Sequence, residues 1–209
     1  MLKASEPMEP PAADARTDEQ LTVKAGAGDK EAFRELVERH KSYIFTLLLQ
    51  MIGHREAAED LAQDVFLKLY RSLGHYRAES KFTTWLYRIA ANTATDYKRA
   101  KARHPLSRLL ERLGRELKVR PAAHGEHDPA RQAVAKEGQE LMLRLLGELP
   151  DKYKLILFLY HYRQLAVQEI AEIAEIPVKT VETRLYRGKA LLKQKWMEAN
   201  PHETRPVME

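Results

Sequence analysis

QLAVQEIAEIAEIPVKTVETRLYRGKALL, Gln164 to Leu192, decides the fold class. Its apolar residues recur at helical spacing, and Ile176-Pro177 interrupts the recurrence. This predicts one helix over Ala166–Glu175 and a second over Val178–Trp196, separated by a short turn at Ile176-Pro177. Ile170, Ile176, Val178, Val181 and Leu185 are the expected mini-core, and Ala171 is small where two helices must cross closely. Pro177 suits a helix start, where a missing N–H costs nothing. Two short helices about such a turn, the second of them basic, form a helix-turn-helix. Lys179, Thr180, Thr183, Arg184, Arg187 and Lys189 then fall on its outward face. Arg can pair bidentately with guanine in the major groove, whereas Lys and Thr suit phosphates. An ordinary helical hairpin with a charged face is the competing reading, and the short turn with its basic second helix argues against it. Glu175 stands in the turn where Gly is usual, a substitution that costs strain if the backbone there is left-handed.

Upstream, Tyr153 to Arg163 reads as a helix behind the Pro150-Asp151 break, and periodicity begins near Gln132 with Val134, Leu141, Leu145, Leu146 and Leu149. Between Pro105 and Ala130 the composition changes. Basic residues, Gly114, Pro121, Gly125 and Pro129 suggest a linker, with one short helix over Leu106 to Leu117. His124 and His127 lie in that polar stretch and have the spacing of a metal pair, but a linker is their simpler home.

Four helices are expected ahead of it. Thr17-Asp18-Glu19-Gln20 has the form of a capping box, and the preceding Pro-rich Met1–Arg16 reads as a disordered tail rather than a signal peptide. After Gly26-Ala27-Gly28-Asp29, a second helix places Phe33, Leu36, Val37, His40, Ile44, Leu47, Leu48 and Met51 on one face, and Gly53 stops it. A third spans about Arg55 to Ser72, with Ala58, Leu61, Ala62, Val65, Phe66, Leu69 and Tyr70 as its apolar stripe and Gly74 as its end. A loop from His75 to Ser80 leads to a fourth over about Lys81–Arg103, ended by His104-Pro105. No strand alternation and no Asn-Gly or Asp-Gly hairpin signal occurs. The fold class is all-α: two small helical domains joined by a flexible basic linker. The boundaries are a tail over 1–16, a first domain over 17–104, a linker over 105–131, a second domain over 132–196 and a tail over 197–209.

Composition narrows the chemistry. The 209 residues include no Cys, which removes disulfides, thiolate metal sites and thiol nucleophiles together. With 44% hydrophobic and 31% charged residues the chain can fold in water, and its longest uncharged run, Ser42 to His54, is too short for a bilayer. A cytoplasmic location is expected. The net charge of +5 is modest, but its distribution is uneven. Tyr97–Arg120 carries +7 and Val178–Trp196 carries +5, which leaves −7 elsewhere. Two solvated basic faces would explain this blandly; segregation on this scale favours two surfaces that meet a polyanion.

The fourth helix divides its residues. Leu86, Ile89, Ala90, Thr93 and Tyr97 form an apolar side; Trp85, Arg88, Asn92, Thr95, Arg99 and Arg103 form another, with Asp96 beside them. Tyr76, Arg77, Lys81 and Phe82 precede it. Aromatics interleaved with cations suit single-stranded nucleic acid, because bases stack on rings while Lys and Arg follow the backbone. The third helix has the opposite sign: Glu56, Glu59, Asp60 and Asp64 give Arg55–Asp64 a local −3. No His lies at helical spacing on that face, so no metal site is expected. The acidic patch beside Phe66 and Leu67 suits a basic protein partner instead.

Three strings together resemble the extracytoplasmic-function (ECF) group of bacterial RNA polymerase sigma factors: DLAQDVFLKLYRSL (Asp60–Leu73), YRAESKFTTWLYRIAANTATDYKR (Tyr76–Arg99), and Leu149–Leu192, which ends in EIPVKTVETRLYRGKALL. The resemblance covers about Asp18 to Trp196 and implies sigma domains two and four. Asp60, Gln63, Asp64 and Leu67 match the helix that docks on the clamp helices of the polymerase β′ subunit. Tyr76, Arg77, Ser80, Lys81 and Phe82 match the loop that captures a flipped base of the −10 element. Trp85, Arg88, Asn92, Asp96 and Arg99 match the helix that reads and melts the upstream part of that element. Lys179, Thr180, Thr183, Arg184, Arg187 and Lys189 lie on the matching −35 recognition helix. Glu175, Glu182 and Gly188 depart from the usual pattern there.

The implied partners are core RNA polymerase (β′ clamp helices and β flap), promoter DNA and an anti-sigma factor, with no small-molecule substrate. The implied role is transcription initiation in a stress or envelope response. No cofactor and no catalytic activity are expected. A different class, a stand-alone helix-turn-helix regulator whose first domain senses a ligand or dimerises, would bind palindromic duplex without polymerase. A nuclease lacks the acidic and His constellation it would need.

Overall fold

The computed structural model of the chain describes residues 16–77, 80–103 and 141–199. Residues 1–15 and 200–209 of the expected tails, the expected linker with its short helix over Leu106–Leu117, the periodicity from Gln132 to Glu140, and His124 and His127 lie outside these residues; the last helix runs past its expected end at Trp196 to Ala199, into the segment expected as a tail. Every regular element among the described residues is helical.

The N-terminal domain has four helices, α1 (Asp18–Gly26), α2 (Lys30–Ile52), α3 (Arg55–Ser72) and α4 (Phe82–Arg103), with a 3₁₀ turn at Leu73–His75. Their ends follow local chemistry. The Gln20 N–H donates to Thr17 Oγ1 at 3.2 Å and the Thr17 N–H donates to Gln20 Oε1 at 3.0 Å, closing the expected capping box. Asp29 caps α2 by accepting from the N–H groups of Glu31 and Ala32 at 3.0 and 3.1 Å. Gly53, at φ 75°, ends it in the left-handed conformation that glycine tolerates. Caps of this kind contribute about 1 kcal/mol each, whereas burying one large apolar side chain contributes about 1.5–3 kcal/mol. Packing therefore dominates. Leu21, Leu36, Ile44, Leu47, Leu48, Val65, Leu69, Phe82, Leu86 and Ala90 are fully buried where the four helices meet.

Polar groups tie α1 to this bundle. Asp18 Oδ2 lies 2.8 Å from His40 Nε2, and Asp18 Oδ1 accepts from Arg39 at 3.0 Å. Burial alone would lift the Asp18 carboxyl, but the hydrogen bonds and charges of His40 and Arg39 outweigh it and hold the group below its ordinary value.

The C-terminal domain comprises a helical stretch at 141–147, α5 (Asp151–Tyr162), α6 (Val167–Ala174) and α7 (Val178–Ala199). Leu146, Ile156, Leu157, Phe158, Ile170, Val181, Leu192 and Trp196 form its core. Gly188 explains its own departure from the family pattern. A Cβ there would lie 3.0 Å from Leu157 Cδ1 and 3.4 Å from Tyr153 Cβ, so α7 can settle on α5 because the position has no side chain.

The two domains also touch. α5 lies against α2, and α6 against α4. Arg163 sets its guanidinium 3.9 Å from the centre of the Tyr43 ring and 5.5 Å from that of Tyr87, and Lys98 pairs with Asp151. The sequence analysis assigned Tyr87, Ala91 and Ala94 to neither side of the fourth helix, and these residues form the face of α4 turned toward the second domain.

Three expected positions shift. Val178 is 38% exposed instead of lying in the mini-core, because it opens α7 ahead of the first turn that meets α6. Tyr70 stays 49% exposed and meets Phe33 edge-on, ring centres 4.9 Å apart. Phe66, expected at the surface, is half-buried against the core.

Candidate nucleic-acid and polymerase interfaces

Three surfaces emerge from these helices. The first is on α3. Asp60, Gln63, Asp64 and Leu67 recur at i, i+3, i+4 and i+7, which places them on one face, and all four are exposed. Leu67 is 52% exposed and adjoins exposed Tyr70, so the face has an apolar centre beside two carboxylates. Arg55 Nε donates to Glu59 at 2.8 Å, which leaves Asp60 and Asp64 to carry the face's charge.

The second surface joins the loop to α4. Trp85 is half-buried and stacks on Tyr76, with ring centres 4.9 Å apart and planes 28° from parallel. The Tyr76 hydroxyl donates to the Ser80 carbonyl oxygen at 2.8 Å and so fixes the ring across the loop. Burial, with the nearby Glu19 carboxylate, raises the Tyr76 phenol above its usual value and keeps it a neutral donor. Beyond this stack Arg77, Asn92, Asp96 and Arg99 are exposed and Arg88 is half-buried, so a stacking pair leads into a polar and cationic stripe. Arg99 lies 3.9 Å from Asp96, a loose contact that leaves the guanidinium free to turn.

Phe82 requires a correction. It is fully buried, its ring 5.4 Å from that of His40 and 6.3 Å from that of Trp85, and its N–H points to Glu19 Oε1 at 3.4 Å. As the first residue of α4 it turns inward to start the core stripe, so it supports Trp85 from beneath and offers no face to a base. Lys81 is also engaged, with its Nζ 2.8 Å from Glu169 Oε1 of α6. That hydrogen-bonded pairing raises the Lys81 ammonium and lowers the Glu169 carboxyl.

The third surface is the helix-turn-helix. Glu175 adopts φ 53° and ψ 44°, the left-handed conformation anticipated for the turn. The Ile176 N–H donates to Ala171 O at 3.1 Å and closes the turn, while Pro177 O accepts from Thr180 and Val181 at 2.8 and 3.1 Å and opens α7. Glu169 Oε2 accepts from the Ala166 N–H at 2.9 Å and steadies the start of α6. On α7, Lys179, Thr183 and Arg187 are exposed, while Thr180, Arg184 and Lys189 are half-buried. Thr183 donates its hydroxyl proton to Lys179 O at 2.8 Å, so toward a ligand it acts as an acceptor. Lys189 rests its ammonium 4.7 Å from the centre of the Tyr160 ring. Tyr186 was not singled out from the sequence, yet it is 79% exposed and shares a face with Lys179 and Thr183 at spacings of seven and three. That spacing was the available signal.

The residues of these surfaces fall within two regions that mark one class of transcription factor. The chain matches the family Sigma-70 region 2 over residues 36–104 and Sigma-70, region 4, over residues 139–192. It is 33% identical over 184 residues to the ECF RNA polymerase sigma-E factor of Haemophilus influenzae, covering 88% of this chain and 97% of that protein. It is 35% identical over 171 residues to the ECF RNA polymerase sigma factor SigW of Bacillus subtilis, covering 80% and 90%. The chain belongs to the ECF family of RNA polymerase sigma factors. Among solved structures, it superposes on the sigma factor RpoE bound to the anti-sigma factor NepR from Bartonella quintana with a TM-score of 0.62 and 15% identity, covering 78% of this chain and 94% of that one. It superposes on CnrH bound to the cytosolic domain of CnrY with a TM-score of 0.59 and 22% identity, covering 87% and 97%. Both share the two-domain helical fold. Among the described residues no helix is long and apolar enough to cross a membrane.

Proposed function

We propose that the chain is an alternative sigma factor that binds core RNA polymerase, selects promoters by their −10 and −35 elements and starts transcription in a stress or envelope response. The observation that carries this reading is the presence, in one chain, of a helix-turn-helix and a stacked Tyr76–Trp85 pair beside a cationic stripe. The first suits duplex read through the major groove; the second suits unpaired bases. Domain two, over 17–104, docks α3 on the β′ clamp helices through Asp60, Gln63, Asp64 and Leu67. Tyr76, Arg77, Ser80 and Lys81 receive an extruded base, and Trp85, Arg88, Asn92, Asp96 and Arg99 hold the opened strand. Domain four, over 132–196, lays α7 in the −35 major groove through Lys179, Thr180, Thr183, Arg184, Arg187 and Lys189, with Tyr186 added from its exposure, and meets the β flap. An anti-sigma factor, the partner carried by a neighbouring fold, is its regulator.

The role is binding and melting, not covalent catalysis, and its place is the cytoplasm, where polymerase and DNA are. Extruding a base costs a few kcal/mol, roughly what stacking and hydrogen bonds in a small pocket return. Tethering both domains to polymerase raises the effective concentration of each for its element. Transcription with purified core polymerase, followed by mapping of start sites, is the test. Run-off products that begin downstream of one recurrent −10/−35 pair are expected. Specific duplex binding without core enzyme, and no transcripts with it, would favour the stand-alone regulator.

A further inference from the structure

α1 reaches both ends of the loop that precedes α4. At the near end its last residue, Gly26, lies over the 3₁₀ turn. A Cβ there would sit 3.4 Å from Leu73 O, and that same carbonyl accepts from the Tyr76 N–H at 3.1 Å. At the far end the Trp85 N–H donates to Lys81 O at 3.1 Å, which places Lys81 at the N-cap of α4. A lysine side chain has no acceptor, so it cannot satisfy the free N–H groups of the first turn. Glu19, 63 positions upstream of Phe82, supplies one: its Oε1 accepts from the Phe82 N–H at 3.4 Å. The carboxylate also meets the positive end of the helix dipole. It lies close enough to Tyr76 to add to burial in raising that phenol. Its own placement is fixed from both sides. Thr17 and Gln20 close the capping box of α1, Asp18 is held by His40 and Arg39, and the His40 ring lies 5.4 Å from that of Phe82.

We propose that Glu19 is a positioning residue for capture of the −10 strand: it caps α4 from another helix and, with Gly26 against Leu73, lets α1 hold both ends of the loop in place. The inference rests on the assignment of this loop and α4 to the −10 element. Tyr76 hangs from the near end, Lys81 and Trp85 from the far one, so α1 sets their spacing. A loop already held in its binding geometry has less freedom to lose when a base arrives. A local cap would not serve as well, because Ser or Asp at position 81 would remove a cation that follows the strand. Glu19 acts through the loop, and the sign of its effect separates this from direct contact. A carboxylate beside phosphates repels them, so a residue in direct contact would bind the strand more tightly once its charge was removed. Removing the cap predicts the opposite.

The test uses the full chain in complex with core polymerase. The probes are a single-stranded oligonucleotide carrying the −10 element mapped in the transcription experiment, and its scrambled form. Glu19→Ala should weaken binding of the −10 oligonucleotide about fivefold, the size of one lost cap. Glu19→Gln keeps the acceptor oxygen and removes the charge, so it should bind at least as well as the parent. Gly26→Val should also weaken binding, by pushing its methyls against Leu73 O, whereas the Cβ of Gly26→Ala meets that oxygen at ordinary contact distance and should not. Capture of core polymerase and binding of −35 duplex should stay at the parental level in every variant, and circular dichroism checks helix content. Unchanged or tighter strand binding by Glu19→Ala, an equal loss in Glu19→Gln, parental binding by Gly26→Val, or a matching loss of core capture and −35 binding would each overturn the positioning role. If the parent complex holds the −10 oligonucleotide no better than the scrambled one, the proposed function fails at this surface and the inference falls with it.

Discussion

At the scale of single residues, charge and backbone conformation give separable expectations. Asp18 is held below its ordinary pKa, so its contribution to stability is present above the unfolded carboxylate value and is lost as pH falls through the folded one. Asp18→Asn should cost about 1 kcal/mol at pH 7. The gap from the parent in urea melts should narrow by pH 3. Glu175 occupies a left-handed position that disfavours a side chain by about 1–2 kcal/mol, so Glu175→Gly should stabilise by about 1 kcal/mol after its entropic cost. The check is a thermal melt, with Tm expected to rise by about 2–4 °C per kcal/mol for a chain of this size. Glu175 could be read from the sequence because helix-turn-helix geometry dictates one left-handed residue. Phe82 could not. Its neighbours Lys81 and Trp85 suggested a surface loop, and only the docking of α1 and His40 over the start of α4 shows that the ring turns inward.

Helices and their faces form the next scale. Replacing Gln63 and Asp64 together should abolish capture of core polymerase while helix content stays unchanged, since both are exposed and carry no core contact. Retained capture would remove α3 from the docking role. On α7 the exposed and half-buried residues should behave differently. Arg184→Ala should cost about 1–3 kcal/mol at one −35 position and relax preference there, as for a base contact. Lys179→Ala should instead weaken binding evenly across sequences and lower the salt slope by about 1, as for a phosphate contact. Competition binding with single-base −35 variants at several salt concentrations separates the two. Helix positions and polarity were legible because periodicity and caps are local: Thr17, Asp29, Gly53 and Pro177 mark ends that the structure repeats within two residues. Val178 and Tyr70 were misplaced because periodicity assigns a face but cannot say where a neighbouring helix stops.

Across the whole molecule, the net charge of +5 conceals opposite signs, and part of that opposition is spent internally, as Lys81 and Lys98 meet Glu169 and Asp151 across the domains. Screening shortens such interactions to about 3 Å at 1 M salt. A donor and an acceptor dye on Ser42→Cys of α2 and Lys193→Cys of α7, both exposed, should therefore lose transfer efficiency as salt rises from 0.1 to 1 M; an interface held by apolar contact alone would hold or gain it. Nothing in the linear pattern pointed to this interface. Arg163 and Tyr87 are 76 positions apart, Tyr87 within α4 and Arg163 at the C-cap of α5. Long-range contacts of that kind leave no periodic trace.

The stack of Tyr76 on Trp85 also gives the protein an intrinsic optical reporter. The chain has two tryptophans, and Trp196 is buried in the other domain. A Trp196→Phe form keeps Trp85 as its one tryptophan, on the surface proposed to melt the promoter, with Tyr76 lying against the fluorophore in the free state. A nucleobase that displaces Tyr76 and takes its place on the indole changes the quencher without moving the helix. The moment of strand capture could then be followed in milliseconds, with no label on either DNA or protein.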